Sequence, residues 1–170
     1  MGLREARNLS SVPGILFVCL GNICRSPLAE GILRRLAQEN GVVLHIDSAG
    51  TGNWHQGDLP DPRARRVGKS LGCEMDMRAR QVTPNDFDDF EHIVAMDRAN
   101  VRELKNWHQN QPDKICLLRS FDANADSDEV PDPYYGTVAD FEEVGRMLER
   151  GCRGLLAKLS PTPTISTRKA

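Results

Sequence analysis

A cysteine and an arginine near the start of the chain, Cys19 and Arg25, enclose five residues, and this spacing could carry nucleophilic chemistry on an anion. An apolar run, residues 15–18, leads into Cys19, and Pro27 opens an amphipathic segment. The pattern predicts a strand, a tight loop and a helix start, and such a loop turns its backbone N–H groups inward around an anion. The positive potential of these N–H groups favours the thiolate form of the cysteine. A guanidinium can bind two phosphate oxygens at once. A nucleophile beneath a bound phosphate indicates phosphoryl transfer through a cysteinyl-phosphate.

A lone cysteine after an apolar strand is more often a small buried core residue, and a bare C-x5-R pattern also occurs by chance. Three features favour the catalytic interpretation. A strand precedes the loop, and Pro27 lies in the first turn of the following helix. Gly21 and Asn22 occupy the middle of the loop, where positive φ angles are expected.

A second motif, residues 130–136, contains Asp132 between two prolines, followed by Tyr134 and Tyr135. Cleavage of a phosphate monoester requires a proton for the departing alkoxide or phenoxide. A carboxylate on a semi-rigid loop over the phosphate site could supply it. Asp-Pro turns are also common on ordinary protein surfaces, but the presence of the Cys19 loop favours a general acid.

The remaining sequence predicts the elements that position these groups. Strands are predicted over 15–19, 42–46, 93–96 and 115–118, and helices over 27–39, 62–71, 98–108 and 138–159. Short apolar strands separated by helices are typical of an α/β fold with a parallel sheet covered on both faces. Ligands in such sheets bind beyond the carboxyl ends of the strands. Cys19 and the loops 47–57 and 122–136 are therefore expected to converge there.

Composition limits the class of protein. With 170 residues, 39% apolar and 27% charged, the chain is typical of one soluble globular domain. We expect a flexible extension over 1–13, a catalytic domain over 14–160 and a disordered tail over 161–170.

A net charge of −2 does not favour binding to nucleic acid or to an anionic membrane. The apolar stretches are too short to span a bilayer, and residues 1–14 lack the apolar region of a secretory signal.

The five cysteines are an odd number without a framework of spacings, which fits a reducing cytosol and predicts a cytoplasmic protein. Metal binding is not expected. Cys19 and Cys24 are too widely spaced for a zinc knuckle, and no His or Cys pair supplies the other half of a site.

The two motifs together resemble the low-molecular-weight protein tyrosine phosphatase family. Val-Cys-Leu-Gly-Asn-Ile-Cys-Arg-Ser-Pro at 18–27 and Asp-Pro-Tyr-Tyr-Gly at 132–136 carry the resemblance, and 47–51 and 95–97 match family segments as well. The match runs from about Ile15 to Leu159. It implies a flavodoxin-like three-layer fold with a four-stranded parallel sheet in the order 2-1-3-4. It also implies hydrolysis of phosphotyrosine in protein substrates, and of small aryl phosphates, to inorganic phosphate without a cofactor.

The resemblance assigns roles to the reacting groups. Cys19 attacks phosphorus, while Arg25 and the loop amides hold the equatorial oxygens. Asp132 protonates the leaving phenol and then activates the water that hydrolyses the phosphocysteine. Ser26 hydrogen-bonds Cys19 and helps the thiolate leave in the second step.

Other positions support the loop or the substrate by the same resemblance. Asn22 holds the left-handed kink of the loop, with Ser48 as its expected partner. The family's remaining loop and rim positions correspond to Leu20, Gly21, Ile23 and Cys24 in the loop and to Trp54, Tyr134 and Tyr135 around the phenyl ring. Trp54 could instead be a core residue, but its polar, glycine-rich surroundings favour the rim.

Two positions depart from the family pattern. In the animal enzymes a histidine that supports the asparagine–serine network precedes the glycine corresponding to Gly72, whereas this chain has Leu71 and so loses one polar partner. His55 follows Trp54, so substrate preference at the rim does not transfer.

Cys24 lies on the same curled loop as Cys19, so the two sulfurs are expected to be close. Cys24 could simply pack beneath the loop. It could also capture a sulfenic acid formed on Cys19 as a disulfide, which a cellular reductant reopens. The family resemblance also suggests redox regulation of this kind.

Three alternative functions remain. An arsenate reductase on the same fold needs further cysteines to relay a disulfide, and Cys73, Cys116 and Cys152 are isolated in the sequence. A protein-arginine phosphatase of the family carries Thr where this chain has Ile23. A non-catalytic phosphotyrosine-binding module would not need Cys19, Arg25 and Asp132 together. The sequence does not indicate the physiological phosphoprotein or the oligomeric state.

Overall fold

A computed structural model describes residues 12–160 of the chain. Almost all of the expected extension (1–13) and the expected tail (161–170) lie outside the described residues. The regular elements are β1 (Gly14–Cys19), α1 (Arg25–Glu39), β2 (His45–Gly50), α2 (Pro62–Ser70), α3 (Asp86–Asp89), β3 (His92–Ala95), α4 (Arg98–Trp107), β4 (Ile115–Leu117) and α5 (Val138–Leu159), with 3₁₀ turns at Pro112–Lys114 and Leu118–Phe121.

The four strands form one parallel sheet in the order β2-β1-β3-β4, which confirms the predicted topology. Gly14 of β1 lies opposite His45 of β2, and Cys19 lies opposite Gly50. Every residue of β1 is buried, as expected for a central strand with helices on both faces.

Alternate residues of β1 face different layers, because successive side chains of a strand point to opposite faces. Ile15 and Phe17 pack into the core shared with α1, α2 and α5. Leu16 and Val18 pack into a second core with residues of α3 and α4, among them Phe87 and Leu104. The protein is therefore a three-layer α/β fold, as predicted. None of its helices within residues 12–160 is long and apolar enough to cross a membrane.

The predicted bounds of the second strand, 42–46, are wrong. The strand is His45–Gly50, and Val43 is 74% exposed outside it. Residues 47–50 are small or polar and favour turns by local propensity. In the fold, Ser48 and Ala49 pair with Phe17 and Val18 of β1 and are buried, so tertiary pairing overrides local preference.

Other boundaries also differ from the prediction. Helix α1 begins at Arg25 rather than at Pro27. The proline occupies the third helical position, where its missing N–H leaves no intrahelical hydrogen bond unmade. The short helix Asp86–Asp89 was not predicted, and β4 ends at Leu117, one residue early.

Candidate active site

The loop between β1 and α1 forms the floor of a cavity of about 220 Å³ at the carboxyl edge of the sheet. The cavity is lined by Cys19, Leu20, Gly21, Ile23, Cys24, Arg25, Trp54, His55, Asp132, Tyr134 and Tyr135. The fold thus brings the predicted nucleophile, guanidinium and carboxylate to one site, together with the predicted rim.

Asn22 fixes the shape of the loop. Its φ is 56°, and it is the one non-glycine residue with positive φ within residues 12–160; asparagine tolerates this region better than most residues. Its buried amide donates to Ser26 Oγ at 2.8 Å and to Ser48 Oγ at 3.0 Å, and its oxygen accepts from the backbone N–H of Arg80 at 3.0 Å. The expected Asn22–Ser48 contact is present.

Gly21 does not share the positive φ that was predicted for it. Its lack of a side chain serves a different purpose. A Cβ at Gly21 would lie 3.2 Å from the ring of His55, so the glycine makes room for that histidine.

The end of β2 holds the other side of the loop. The N–H of Thr51 donates to the carbonyl of Cys19, and the N–H of Gly52 donates to that of Leu20, both at 2.9 Å. A Cβ on Gly50 would come within 2.9 Å of the Leu20 carbonyl oxygen. Only glycine permits this approach of strand and loop.

The sulfur of Cys19 lies 3.0 Å from Ser26 Oγ, and both residues are buried. Ser26 Oγ accepts a hydrogen bond from Asn22, and its single proton can go either to the Cys19 sulfur at 3.0 Å or to the more distant Ala49 carbonyl oxygen at 3.4 Å. With Cys19 as the thiolate, the serine is the donor. The asparagine and serine therefore form a short chain of hydrogen bonds that ends on the nucleophile.

Arg25 is 2% exposed and is held by two acceptors. Its Nη1 donates to Asp97 Oδ2 at 2.7 Å and to the carbonyl of Val130 at 2.9 Å, while its Nη2 lies 3.5 Å from Asp132 Oδ2. Burial alone would lower the pKa of Arg25, but the Cys19 thiolate and the carboxylates of Asp97 and Asp132 outweigh it and raise that pKa. The guanidinium stays charged with a fixed orientation.

In the sequence, Asp97 was noted only as part of a segment that matches the family, and its contact with Arg25 was missed. A usable signal was present. Asp97 lies two residues after the end of β3, so it is at the same carboxyl edge of the sheet as the Cys19 loop.

Asp132 lies at the mouth of the cavity. One carboxylate oxygen accepts from the N–H of Tyr134 at 3.1 Å, which orients the side chain, and the other faces Arg25. The carboxylate is partly exposed, so both water and a leaving group can reach it.

Three aromatic side chains and Leu20 form the rim. Trp54 is 69% exposed, which excludes the core role considered for it. The rings of Tyr134 and Tyr135 meet edge to face with centroids 4.9 Å apart. A Cβ on Gly52 would collide with the Trp54 ring, so the indole lies flat over this glycine. The rim offers apolar faces to an aromatic ring.

The two residues that depart from the family pattern, His55 and Leu71, lie in different places. His55 lines the cavity, with its Nδ1 3.4 Å from Asp58 Oδ2; it is a rim residue to which sequence reasoning gave no role. Leu71 packs with the core beside Gly145 of α5. The hydrogen bonds of the Asn22 side chain go to Ser26, Ser48 and Arg80 instead, so the residue at position 71 does not supply this network.

All five cysteines lie in the described residues, and all are unpaired. Cys24 lines the catalytic cavity, and burial, with the nearby Cys19 charge, raises its pKa. Burial also raises the pKa of Cys116 in β4, to about 11. Cys73 and Cys152 are buried elsewhere, and neither lines the cavity. Within residues 12–160, no group of three His, Cys, Asp or Glu side chains could hold a metal ion.

Comparisons with known proteins show what the chain is similar to. A model of the family described as low molecular weight phosphotyrosine protein phosphatase matches residues 14–163. The low molecular weight protein-tyrosine-phosphatase YfkJ of Bacillus subtilis is 42% identical over 149 residues, which cover 85% of this chain and 94% of that protein. A crystal structure of a protein tyrosine phosphatase from Entamoeba histolytica matches with a TM-score of 0.83 and 42% identity, over 86% of this chain and 96% of that one. A Drosophila arginine phosphatase, DARP, matches with a TM-score of 0.81 and 31% identity, over 86% and 98%.

Proposed function

Because this chain belongs to the low molecular weight phosphotyrosine protein phosphatase family, we propose that it hydrolyses phosphotyrosine in proteins through a cysteinyl-phosphate. Cys19 is the nucleophile, Arg25 binds the phosphoryl group, and Asp132 is the general acid and base. The observation that carries the proposal is the hydrogen bond between Ser26 Oγ and the sulfur of Cys19, at the floor of a cavity that Arg25 and Asp132 also line.

In the first step the phosphoryl oxygens bind the loop N–H groups and the Arg25 guanidinium. The Cys19 thiolate attacks phosphorus, an S–P bond forms, and the P–O bond to the phenol breaks. Protonated Asp132 gives its proton to the departing oxygen. Arg25 is already fixed by Asp97 and Val130, so it needs little reorganisation as charge develops.

In the second step the Asp132 carboxylate takes a proton from a water molecule, which attacks phosphorus as the S–P bond breaks. The sulfur leaves as a thiolate. Ser26 is placed to donate to it at 3.0 Å, which stabilises the leaving group. The product is inorganic phosphate, and the protonated Asp132 is ready for the next turnover.

The walls of the cavity support an aryl phosphate as substrate. Trp54, Tyr134 and Tyr135 offer apolar faces at the rim, and the buried Ile23 contributes another apolar surface. Ile23 occupies the position at which the resemblance places Thr in the arginine phosphatases. An arginine phosphatase is nevertheless among the structural relatives, so phosphoarginine must be tested directly.

The experiment compares four compounds with the purified protein: a phosphotyrosine peptide, p-nitrophenyl phosphate, a phosphoarginine peptide and arsenate. We expect release of phosphate from the first two without consumption of a reductant. Preference for phosphoarginine would indicate the arginine phosphatase, and thiol oxidation driven by arsenate would indicate the reductase.

The Cys19→Ser variant tests the mechanism. A serine hydroxyl is not ionised near neutral pH, so turnover should be abolished, while the loop and Arg25 still bind phosphotyrosine. Steady hydrolysis by a clean Cys19→Ser preparation would exclude the covalent intermediate. Binding without turnover by the parent protein would indicate a phosphotyrosine-binding module.

A further inference from the structure

A second buried arginine, Arg119, contacts the loop that carries Asp132. Arg119 is 4% exposed and belongs to the 3₁₀ turn Leu118–Phe121. Its Nη1 donates to the backbone carbonyl of Glu129 at 3.0 Å, and its Nη2 donates to Asp126 Oδ1 at 2.9 Å. Burying a guanidinium carries a large desolvation cost, and both partners of this one lie in a single loop.

The backbone that carries Arg119 is held by close packing. The 3₁₀ turn packs closely on α5, where a Cβ on Gly154 would collide with the carbonyl oxygen of Phe121 and one on Gly151 would lie 2.7 Å from the side chain of Leu118. The two glycines let the turn lie against the helix backbone. Arg119 therefore projects from a fixed part of the core.

The residue after Glu129 is tied to the active site. Val130 is buried, its N–H donates to the carbonyl of Met96 at 2.8 Å, and its carbonyl accepts from Arg25 at 2.9 Å. Adjacent carbonyls of the loop are thus held by two buried arginines, Arg119 and Arg25. Asp132 follows two residues later.

The other side-chain contact near this point is weaker. Arg98 pairs with Asp128 and Glu129, but its side chain is exposed, and exposed pairs contribute little. An open pocket of about 420 Å³ is lined in part by Arg119, Val130 and Pro131. The loop therefore has space into which it can relax when the buried contact is lost.

We propose that Arg119 is a positioning residue for Asp132, acting through the Glu129 carbonyl to fix the acid loop over the catalytic cavity. The inference rests on the proposed function. General acid catalysis requires the acid within hydrogen-bond reach of the leaving oxygen. A displacement of about 1 Å can cost about 10²-fold in rate, so a loop anchor remote from the substrate can control the step.

The test is the leaving-group dependence of kcat/KM in Arg119→Met, which keeps apolar bulk but removes every donor. We expect phenyl phosphate, with a poor leaving group, to lose about tenfold more kcat/KM than p-nitrophenyl phosphate does. In an Asp132→Asn background, Arg119→Met should add no further loss on phenyl phosphate. Arg146→Met, which removes an exposed arginine of α5, is the matched control and should behave as the parent protein.

Equal loss on both substrates, or a full additional loss in the Asp132→Asn background, would overturn the proposal. Arg119→Lys keeps the charge and one donor, and should show a smaller leaving-group effect. If Arg119→Met does not fold, the lysine variant is the deciding test. A leaving-group dependence of kcat/KM identical to that of the parent protein would refute the positioning role of Arg119. Failure of the proposed function would show separately, as a parent protein without phosphatase activity or an Asp132→Asn variant without leaving-group dependence.

Discussion

Arg25 and Asp97 form a partly buried ion pair in which Nη1 of the arginine lies 2.7 Å from Oδ2 of the aspartate. The other oxygen of Asp97 accepts from the N–H of Asn100 at 2.8 Å, and the Asn100 side chain accepts from the N–H of Asp97. One carboxylate thus caps α4 and orients the Arg25 guanidinium, which we propose binds the phosphoryl group. The helix on one side of the sheet is connected to the active site through a single side chain.

Asp97→Asn separates these two tasks. Asparagine caps helices as well as aspartate does, so the helix cap is kept, but the charge-assisted bond to Arg25, worth about 1.5–3 kcal/mol, is weakened. We expect kcat/KM to fall at least about tenfold. Asp97→Ala should lose the same activity and also about 1 kcal/mol of stability. Kinetics with p-nitrophenyl phosphate and urea denaturation measure the two effects, and parental kcat/KM in Asp97→Asn would contradict the orienting role.

Asp132→Asn should slow poor leaving groups much more than good ones. General acid catalysis supplies about 10²–10⁴-fold, and a stable phenolate needs less of it. The comparison is kcat/KM for phosphotyrosine and for p-nitrophenyl phosphate. Proportional loss on both substrates would mean that Asp132 does not protonate the leaving group.

Hydrogen peroxide should inactivate the protein reversibly through a disulfide between Cys19 and Cys24. Peroxide oxidises the Cys19 thiolate to a sulfenic acid, the Cys24 sulfur attacks it, and water leaves as the S–S bond forms. The two cysteines line the same cavity, which places both thiols at one site. Peptide mapping should find the link, and dithiothreitol should restore activity.

The control for this oxidation is Cys73→Ala, which removes a buried cysteine that does not line the catalytic cavity and should recover as the parent does. Cys24→Ala should lose recovery, because its sulfenic acid proceeds to irreversible forms. Complete recovery of Cys24→Ala would leave Cys24 as a packing residue only.

Glu30 gives a pH dependence of stability. Its carboxyl is 2% exposed in α1, and Oε1 has no hydrogen-bond partner among the described residues. Burial raises its pKa from 4.5 to about 7, although Arg34 Nε, 3.4 Å away, opposes the shift and Asp47 reinforces it. Between these pH values the folded state binds more protons than the unfolded state, so this group makes stability fall as pH rises from about 4.5 to about 7.

Glu30→Gln removes that titration. The free energy of unfolding of the variant, relative to the parent, should rise between pH 5 and 8 by on the order of 1–3 kcal/mol. Urea denaturation of both proteins across this range gives the difference. Glu142→Gln, at an exposed position of α5, is the control. A constant difference between Glu30→Gln and the parent would show that Glu30 does not titrate in this interval.

The parts of the site that sequence could predict are local. Cys19, Arg25 and Ser26 lie on one continuous loop between a strand and a helix, so their spacing alone brings them together. Asp132 was found because its chemistry complements that loop. The sheet order was predictable through the family resemblance, and apolar strands alternating with helices indicated the parallel α/β class.

The remaining parts depend on long-range contacts. Asp97 meets Arg25 across 72 positions of the chain, and no local pattern marks that pair. Residues 47–50 favour turns in isolation and become strand only beside β1. Arg119 looks like an ordinary surface residue in the sequence. Its burial follows from the way the 3₁₀ turn packs on α5.

The indole that lies over Gly52 makes the active site visible to optical spectroscopy. The chain contains two tryptophans. Trp54 is exposed at the rim of the catalytic cavity, whereas Trp107 ends α4 and lines a separate groove. In a Trp107→Phe background all of the intrinsic emission comes from the substrate rim. An aromatic phosphate that stacks on Trp54 displaces water from the indole and changes its emission. Trp54 is therefore an intrinsic fluorophore with which ligand binding can be followed in real time, without an attached dye.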